Sequence, residues 1–284
     1  MENNCVSFII LTWNSKKLIK NCIQSYANIL GKENLTAEFW IIDNGSDDKT
    51  TDYIKQELVP EFKGSYEIHI ISLDKNYGTT FSRNLALKKT VGKYIVICDS
   101  DTAFYGGSLR TALEYMKRDE KTGLIAPLLV WPDMKPQPSV RKFPTLIDKL
   151  SKIGNILFNL PIGNNDLYNN LSKTEIIPVE TAASAFWILK RETIETVGFL
   201  DEKIFYAPED IDYCLRIWKN GYRVMYMPEL VINHFAQRIS RSKPFSKIAL
   251  SHLKGLLYYF YKHRYFLSRA RIKQYYAPSF QKQN

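Results

Sequence analysis

Two carboxylates one residue apart, Asp99 and Asp101, end the apolar run Tyr94-Ile95-Val96-Ile97-Cys98. Such a run reads as a buried strand that delivers acidic side chains to the C-terminal edge of a sheet, where open α/β sheets bind ligands. In extended backbone the two carboxylates point to one side and Ser100 to the other, so both can face one divalent cation or one ribose-diphosphate. A second acidic cluster, Glu209-Asp210-Ile211-Asp212, follows Pro208. Proline suits the first turn of a helix, so these carboxylates sit where the macrodipole favours negative charge, either as simple first-turn charges or as reacting groups. His234 closes a later apolar run, either as a satisfied structural residue or as one that reaches the same edge as Asp43 and Asp101.

The elements that must carry these residues alternate. Strands are expected over Cys5–Thr12, Glu38–Ile42, Tyr66–Leu73 and the run before Asp99, and helices after Trp13-Asn14-Ser15, with Ser15 as N-cap, and over Thr80–Lys89. Asp43 stands at the end of the second strand, and Ser46 or Asp47 can cap the helix after it. This rhythm predicts a doubly wound, mainly parallel sheet. A helix near Gly107–Arg118 and a strand over Gly123–Val130 come next. Residues 131–175, rich in proline at the start, read as a long excursion over the core with one helix near Leu146–Leu157, of a length that suits a binding lid. The core resumes with Ile176–Thr181, Ala185–Leu189, a helix at Arg191–Val197, and strands at Tyr222–Met227 and Leu230–Asn233.

The 284 residues, 45% hydrophobic and 24% charged, suffice for a large folded core without repeats or low-complexity tracts. The first residues lack the basic start of a signal peptide, and no apolar stretch approaches the ~20 residues of a membrane span. The four cysteines, Cys5, Cys22, Cys98 and Cys214, are scattered through apolar patterns as buried thiols would be. A cytoplasmic protein is the expectation. The net charge of +10 is uneven: after Glu229 there are eleven cations and no acid. From about Pro244 the chain reads as an amphipathic helix. Phe245, Ile248, Ala249, Leu253, Leu256, Phe260 and Leu267 share one face, and Lys243, Lys247, Lys254, Lys262 and Arg269 lie opposite. That apolar face either docks on the domain or lies on an anionic bilayer. The two acidic clusters around one edge argue against nucleic acid.

In order, Val6–Thr12-Trp13-Asn14-Ser15, Ile41-Ile42-Asp43-Asn44-Gly45-Ser46, Asn76-Tyr77-Gly78, Asp99-Ser100-Asp101, Pro208-Glu209-Asp210-Ile211-Asp212 and His234 resemble family 2 glycosyltransferases across residues 5–240. Gln137-Pro138-Ser139-Val140-Arg141-Lys142-Phe143-Pro144 and the Arg191-Glu192 to Asp201-Glu202 stretch look like the rhamnosyltransferase-like branch. The resemblance implies an α/β fold of the glycosyltransferase A type: a Rossmann-like, mainly parallel central sheet flanked by helices, here with the amphipathic C-terminal tail. It implies a catalytic domain at 1–243, donor half to about 130 and acceptor half after it, followed by an extension at 244–284. It also implies a nucleotide-sugar donor (UDP- or dTDP-sugar), a divalent metal (Mn2+ or Mg2+), a saccharide or lipid-linked saccharide acceptor, and inversion at the anomeric carbon.

Position by position, the resemblance gives Asp43 the base of the nucleotide, with Thr12 and Asn14 lining it, Asp99 and Ser100 the ribose, and Lys75 and Arg83 the diphosphate or nucleotide. Asp101 and His234 are implied metal contacts, and Asp210 the catalytic base beside Glu209. Arg141 and Trp187 fall on the acceptor side, where Trp187 either stacks on a sugar or fills the core. Asp99-Ser100-Asp101 replaces the branch's frequent Asn-Pro-Asp, and Gly78–Asn84 is less glycine-rich than in that branch. Hexose and N-acetylhexosamine donors therefore stay open beside rhamnose. The competing readings are a sugar nucleotidyltransferase, which needs a glycine-rich phosphate loop that Thr12-Trp13-Asn14-Ser15 does not supply, and a nucleotide-sugar-binding scaffold with a vestigial site.

Overall fold

The computed structural model describes residues 6–149, 166–168, 171–235 and 247–280. The first strand, β1 (Val6–Thr12), is buried at every position, as its unbroken apolar run requires of a strand covered on both faces. After α1 (Ile19–Lys32) and β2 (Ala37–Asp43) come two short helices, α2 (Thr50–Tyr53) and α3 (Val59–Phe62), joined by a π turn, then β3 (Glu67–Ser72), α4 (Thr79–Leu87) and β4 (Tyr94–Asp99). Strands β3, β2, β1 and β4 lie side by side and all parallel, which is the doubly wound half that the strand–helix rhythm predicts.

Beyond β4 the sheet is mixed. The following elements are β5 (Thr102–Gly106), α5 (Leu109–Arg118), β6 (Thr122–Val130), β7 (Val140–Arg141), β8 (Ile177–Pro178), β9 (Thr181–Ala182), β10 (Phe186–Lys190), α6 (Arg191–Val197), α7 (Glu209–Lys219) and β11 (Arg223–His234). Strand β10 pairs antiparallel with both β4 and β6, β11 runs parallel to β6, and β5 closes the edge antiparallel to β11. The two strands expected around residues 222–233 are one, β11, whose register against β6 shifts between Met227 and Val231. Pro228 lies in that shift and has no N–H to give a ladder, so the strand bulges there and does not end.

Two apolar layers sandwich the sheet. Cys22, Ile23 and Tyr26 of α1 and Ala112 and Met116 of α5 cover one face. The other is covered by α4, α6 and α7 and by the tail helices α8 (Lys247–His263) and α9 (Ala270–Phe280), through Leu256, Tyr259, Phe260, Ile272 and Tyr276. The tail is therefore part of the second core. Its faces differ from the expected pattern: Leu256 and Phe260 point inward, Leu253 and Leu267 are exposed, and Lys262 turns inward to Asp201 and Asp212. Phe245 and several of the tail cations lie outside the described residues, as does most of the helix expected near Leu146–Leu157, of which 146–149 are helical. Among the described residues no helix is long and apolar enough to cross a membrane. Cys22, Cys98 and Cys214 are buried free thiols.

Local caps also differ from expectation. Helix α1 starts at Ile19, and Ser15 serves it through its carbonyl, which accepts the amides of Leu18 and Ile19. The residue that takes the Thr50 amide is Asp48, one and two positions past the expected Asp47 and Ser46.

Candidate active site

Strand β4 ends at Asp99, and the chain turns at Ser100 and Asp101 into β5, an element that the sequence pattern did not announce. The turn, and not a continued strand, brings the two carboxylates together. Ser100 is buried; its amide donates to the Leu11 carbonyl at 3.0 Å, so it holds the turn against β1. Strand β5 supplies the partner for His234: their ladder sets His234 opposite Thr102, and the Phe235 amide donates to the Asp101 carbonyl at 2.8 Å. One ligand atom from each of Asp99, Asp101 and His234 then lies within 4.8 Å of the other two. His234 Nε2 stands 3.6 Å from Asp101 Oδ1.

Gln137 fixes the imidazole. Its amide nitrogen donates to the carbonyls of Val130 and His234, at 3.1 and 2.8 Å, which orients its oxygen toward His234 Nδ1 at 2.9 Å. That oxygen can only accept, so Nδ1 carries the proton and Nε2 presents its lone pair to the carboxylates. Two hard carboxylates and one imidazole nitrogen so held fit a small divalent cation of the Mn2+ or Mg2+ type. Gln137 opens the Gln137–Pro144 motif, whose resemblance implies no role for it. Its signal was the proline on either side, Pro136 and Pro138, which pins the backbone of an otherwise unremarkable residue.

The second carboxylate cluster is where α7 begins. Glu209, Asp210 and Asp212 occupy its first turn, directly after Pro208, as expected from sequence. Glu209 is buried and accepts from Ser184 Oγ at 2.7 Å; Asp210 is half-buried and takes only the adjacent Ile211 amide among its hydrogen bonds to the described residues. Burial, with the neighbouring Asp210 charge adding to it and Arg83 opposing, pushes the Glu209 carboxyl up to about 8. Burial also raises Asp210, against its own amide bond and the cations of Lys149 and Arg141. Below about pH 8 Glu209 therefore holds a proton, and Asp210 is the more open member of the pair. Tyr206, raised to about 12 by burial and by the charges of Glu209, Asp99 and Asp210, belongs to the same group.

Arg83, expected as a diphosphate or nucleotide contact, joins the two clusters. It is 1% exposed, ion-paired to Asp99 at 2.6 Å and to Glu209 at 3.6 Å, and donates to Ser184. A fully buried guanidinium persists only where such partners surround it. Trp187 lies in β10 at 0% exposure, stacked near Tyr213 and donating to the Ala182 carbonyl, which is the core alternative of the two that the sequence left open. The inward-facing register of a central strand decides that, not the aromatic ring itself. Arg141 stays near Asp210, 3.5 Å from Asp166.

On the other side of Asp99, the ends of β1 and β2 are knitted together. Asn14, at positive φ, donates its amide to Ser46 Oγ and accepts the Asp47 amide. Asp43 is buried and takes the Ser46 amide, the Ser46 hydroxyl and the Thr51 hydroxyl. Thr12 Oγ1 is buried without a partner among the described residues. Lys75 is exposed, its ammonium 5.0 Å from the centre of the Tyr77 ring.

The family described as Glycosyl transferase family 2 matches residues 7–198. A Mycobacterium tuberculosis N-acetylglucosaminyl-diphospho-decaprenol L-rhamnosyltransferase is 25% identical over 225 residues, which cover 75% of this chain and 71% of that protein. The Staphylococcus epidermidis poly-beta-1,6-N-acetyl-D-glucosamine synthase is 23% identical, over 78% of this chain and 48% of its own length. Among solved structures, GalNAc-T7 with UDP, GalNAc and Mn2+ superposes with a TM-score of 0.68 at 13% identity, over 98% of this chain and 55% of that one. Staphylococcus aureus TarS with UDP gives 0.61 at 16% identity, over 98% and 71%. The chain thus spans about half the length of the synthase and of GalNAc-T7, and these structural likenesses establish the shared fold.

Proposed function

Because the chain belongs to glycosyltransferase family 2, we propose that it moves a sugar with inversion from a pyrimidine nucleoside-diphosphate donor to a saccharide or lipid-linked saccharide acceptor, in the building of a surface polysaccharide. The observation that carries this reading is the buried guanidinium of Arg83, which ties the Asp99–Asp101–His234 cluster to the Glu209–Asp210 pair. A site for the leaving diphosphate and a site for the attacking hydroxyl are thereby held in fixed relation.

Asp43, Thr12 and Asn14 line the nucleoside, with the orphan Thr12 hydroxyl left for it, and Lys75 stands over the same loops. Asp99, Asp101 and the Nε2 of His234 would hold the divalent cation; when bound, it neutralises charge that builds on the leaving phosphate oxygen. Asp210 takes the proton of the acceptor hydroxyl as that oxygen bonds to the anomeric carbon from the face opposite the departing nucleoside diphosphate. Glu209, holding its own proton between Arg83 and Ser184, keeps a second negative charge away from Asp210 and fixes the start of α7. Arg141, beside Asp210, meets the acceptor. A UDP-bound and a GDP-mannose-bound neighbour share the fold, so the base is the open question for the donor.

The test is a thermal-shift panel with UDP, dTDP, GDP and CDP, each with Mn2+ and with EDTA. A ligand that binds only the native state raises the melting temperature by mass action. One pyrimidine diphosphate should stabilise the protein in Mn2+ and much less in EDTA. No shift with any of the four would leave the chain a scaffold with a vestigial site.

A further inference from the structure

Helix α8 has two faces with different tasks. The inward face packs Leu256, Tyr259 and Phe260 into the second core, and His263 and Lys262 bind Asp212 at 2.8 and 2.6 Å. Burial would raise the Asp212 carboxyl, yet the bonds from His263 and Lys262 outweigh it and hold it below the usual range. Gly255 touches the chain just before the reacting pair: a Cβ there would stand 2.3 Å from the Ala207 carbonyl oxygen, two residues ahead of Glu209. The outward face carries Leu250, Leu253, Leu257 and Tyr261, all exposed, at spacings of three and four that make one stripe. Exposed Phe266 and Leu267 extend the apolar surface into the connection to α9.

Exposed Lys254, Arg264, Arg271 and Lys273 lie along the same segment, and no acid follows Glu229. A second copy of the chain would set like charges face to face across a twofold contact. Anionic headgroups neutralise them while the leucines enter the acyl boundary, the pattern of a helix that lies in the interface.

We propose that the outward face of α8 and the α8–α9 connection rest on an anionic bilayer, and that this contact places the acceptor. Only the width of one helix, about 10 Å, then separates the lipid surface from the loop before Glu209 and Asp210. An acceptor saccharide on a lipid in that bilayer therefore enters beside the base. The bilayer contact stands on the surface alone; the placing of the acceptor rests on the glycosyl-transfer reading above.

The experiment floats the full chain with vesicles of phosphatidylcholine alone or with phosphatidylglycerol added. The protein should float with the anionic vesicles and come off as salt rises. The double variant Leu253→Asp, Leu257→Asp should lower partitioning more than about tenfold, with its melting temperature and nucleotide-induced shift unchanged. Absence of flotation, equal flotation of the variant, or a dimer that the same variant dissociates would overturn the bilayer contact. For the acceptor, the variant should slow transfer to a lipid-anchored saccharide in vesicles and leave transfer to a short water-soluble one unchanged. Equal rates on both would overturn the placing. Flotation without transfer to either acceptor by the unsubstituted protein would instead count against glycosyl transfer.

Discussion

The Asp99–Asp101–His234 cluster and the Glu209–Asp210 pair are held by different means. The first is set by sheet register: β4 delivers Asp99, the turn into β5 delivers Asp101, and the β5–β11 ladder brings His234 beside it. The second rides on a loop wedged between two helices. Gly78 at the start of α4 meets the Phe205 carbonyl, where a Cβ would stand at 2.2 Å, and Gly255 of α8 meets the Ala207 carbonyl from the tail. The Thr79 amide and the Thr80 hydroxyl also bind that loop, at Phe205 and Ile204. Ladder hydrogen bonds leave a sheet edge little freedom, whereas a wedged loop depends on contacts from elements far apart in sequence. The Asp99–Asp101–His234 side is thus built on a sheet edge and the Glu209–Asp210 side on contacts that cross the fold, with Arg83 as the link.

That contrast can be broken from either side. Asp210→Asn should lower turnover by roughly 10²–10⁴-fold while nucleotide binding survives, because it removes the base and no donor contact; steady-state rates beside the thermal-shift panel decide it, and unchanged turnover would sink the assignment. Arg83→Met strikes both regions at once. It strands the Asp99 carboxylate without its cation and takes the buried donor away from Ser184 and Glu209, and denaturant unfolding should show a loss of about 3–5 kcal/mol. Gly255→Val should separate the regions: the added side chain pushes the Ala207 carbonyl away, so turnover falls while the Mn2+ affinity, read by titration, holds.

Gln137→Ala is the converse. It frees the His234 tautomer, and metal affinity should fall about 10–100-fold with the melting temperature nearly unchanged; a variant that binds Mn2+ as tightly as before would remove Gln137 from the site. The last test concerns Glu209. Folded, it keeps its proton to about pH 8; unfolded, it loses it near its ordinary 4.5. Between those values the native state holds the extra proton, so this group's contribution to stability is full below pH 4.5 and is lost as pH rises through 8. Glu209→Gln should flatten the fall in stability over that window, measured by urea unfolding at several pH values.

Much of this was legible in the chain. The buried runs ending at Thr12, Asp43 and Asp99 specified parallel strands, because a strand covered on both faces must be apolar throughout. Pro208 followed by three acids marked a helix start. The reversal of β10 and the existence of β5 were not legible, since a short apolar run pairs as readily one way as the other and only its neighbours decide. The burial of Trp187 and Arg83 was not legible for a related reason: an aromatic ring and a guanidinium suit a ligand or a core equally, and burial is a property of the assembled sheet.

By itself the sequence determined the family, the α/β rhythm, the identity of the carboxylates and the acid-free tail, because composition and short-range periodicity are written residue by residue. Tertiary structure alone decided that His234 meets Asp101, that Arg83 joins both acidic clusters, and that α8 turns one face to the loop before Glu209 and another outward. Those relations span from 16 residues, between Arg83 and Asp99, to 133 residues, between Asp101 and His234. Contacts at such separations are fixed by which surfaces can be buried together, and no local pattern records them.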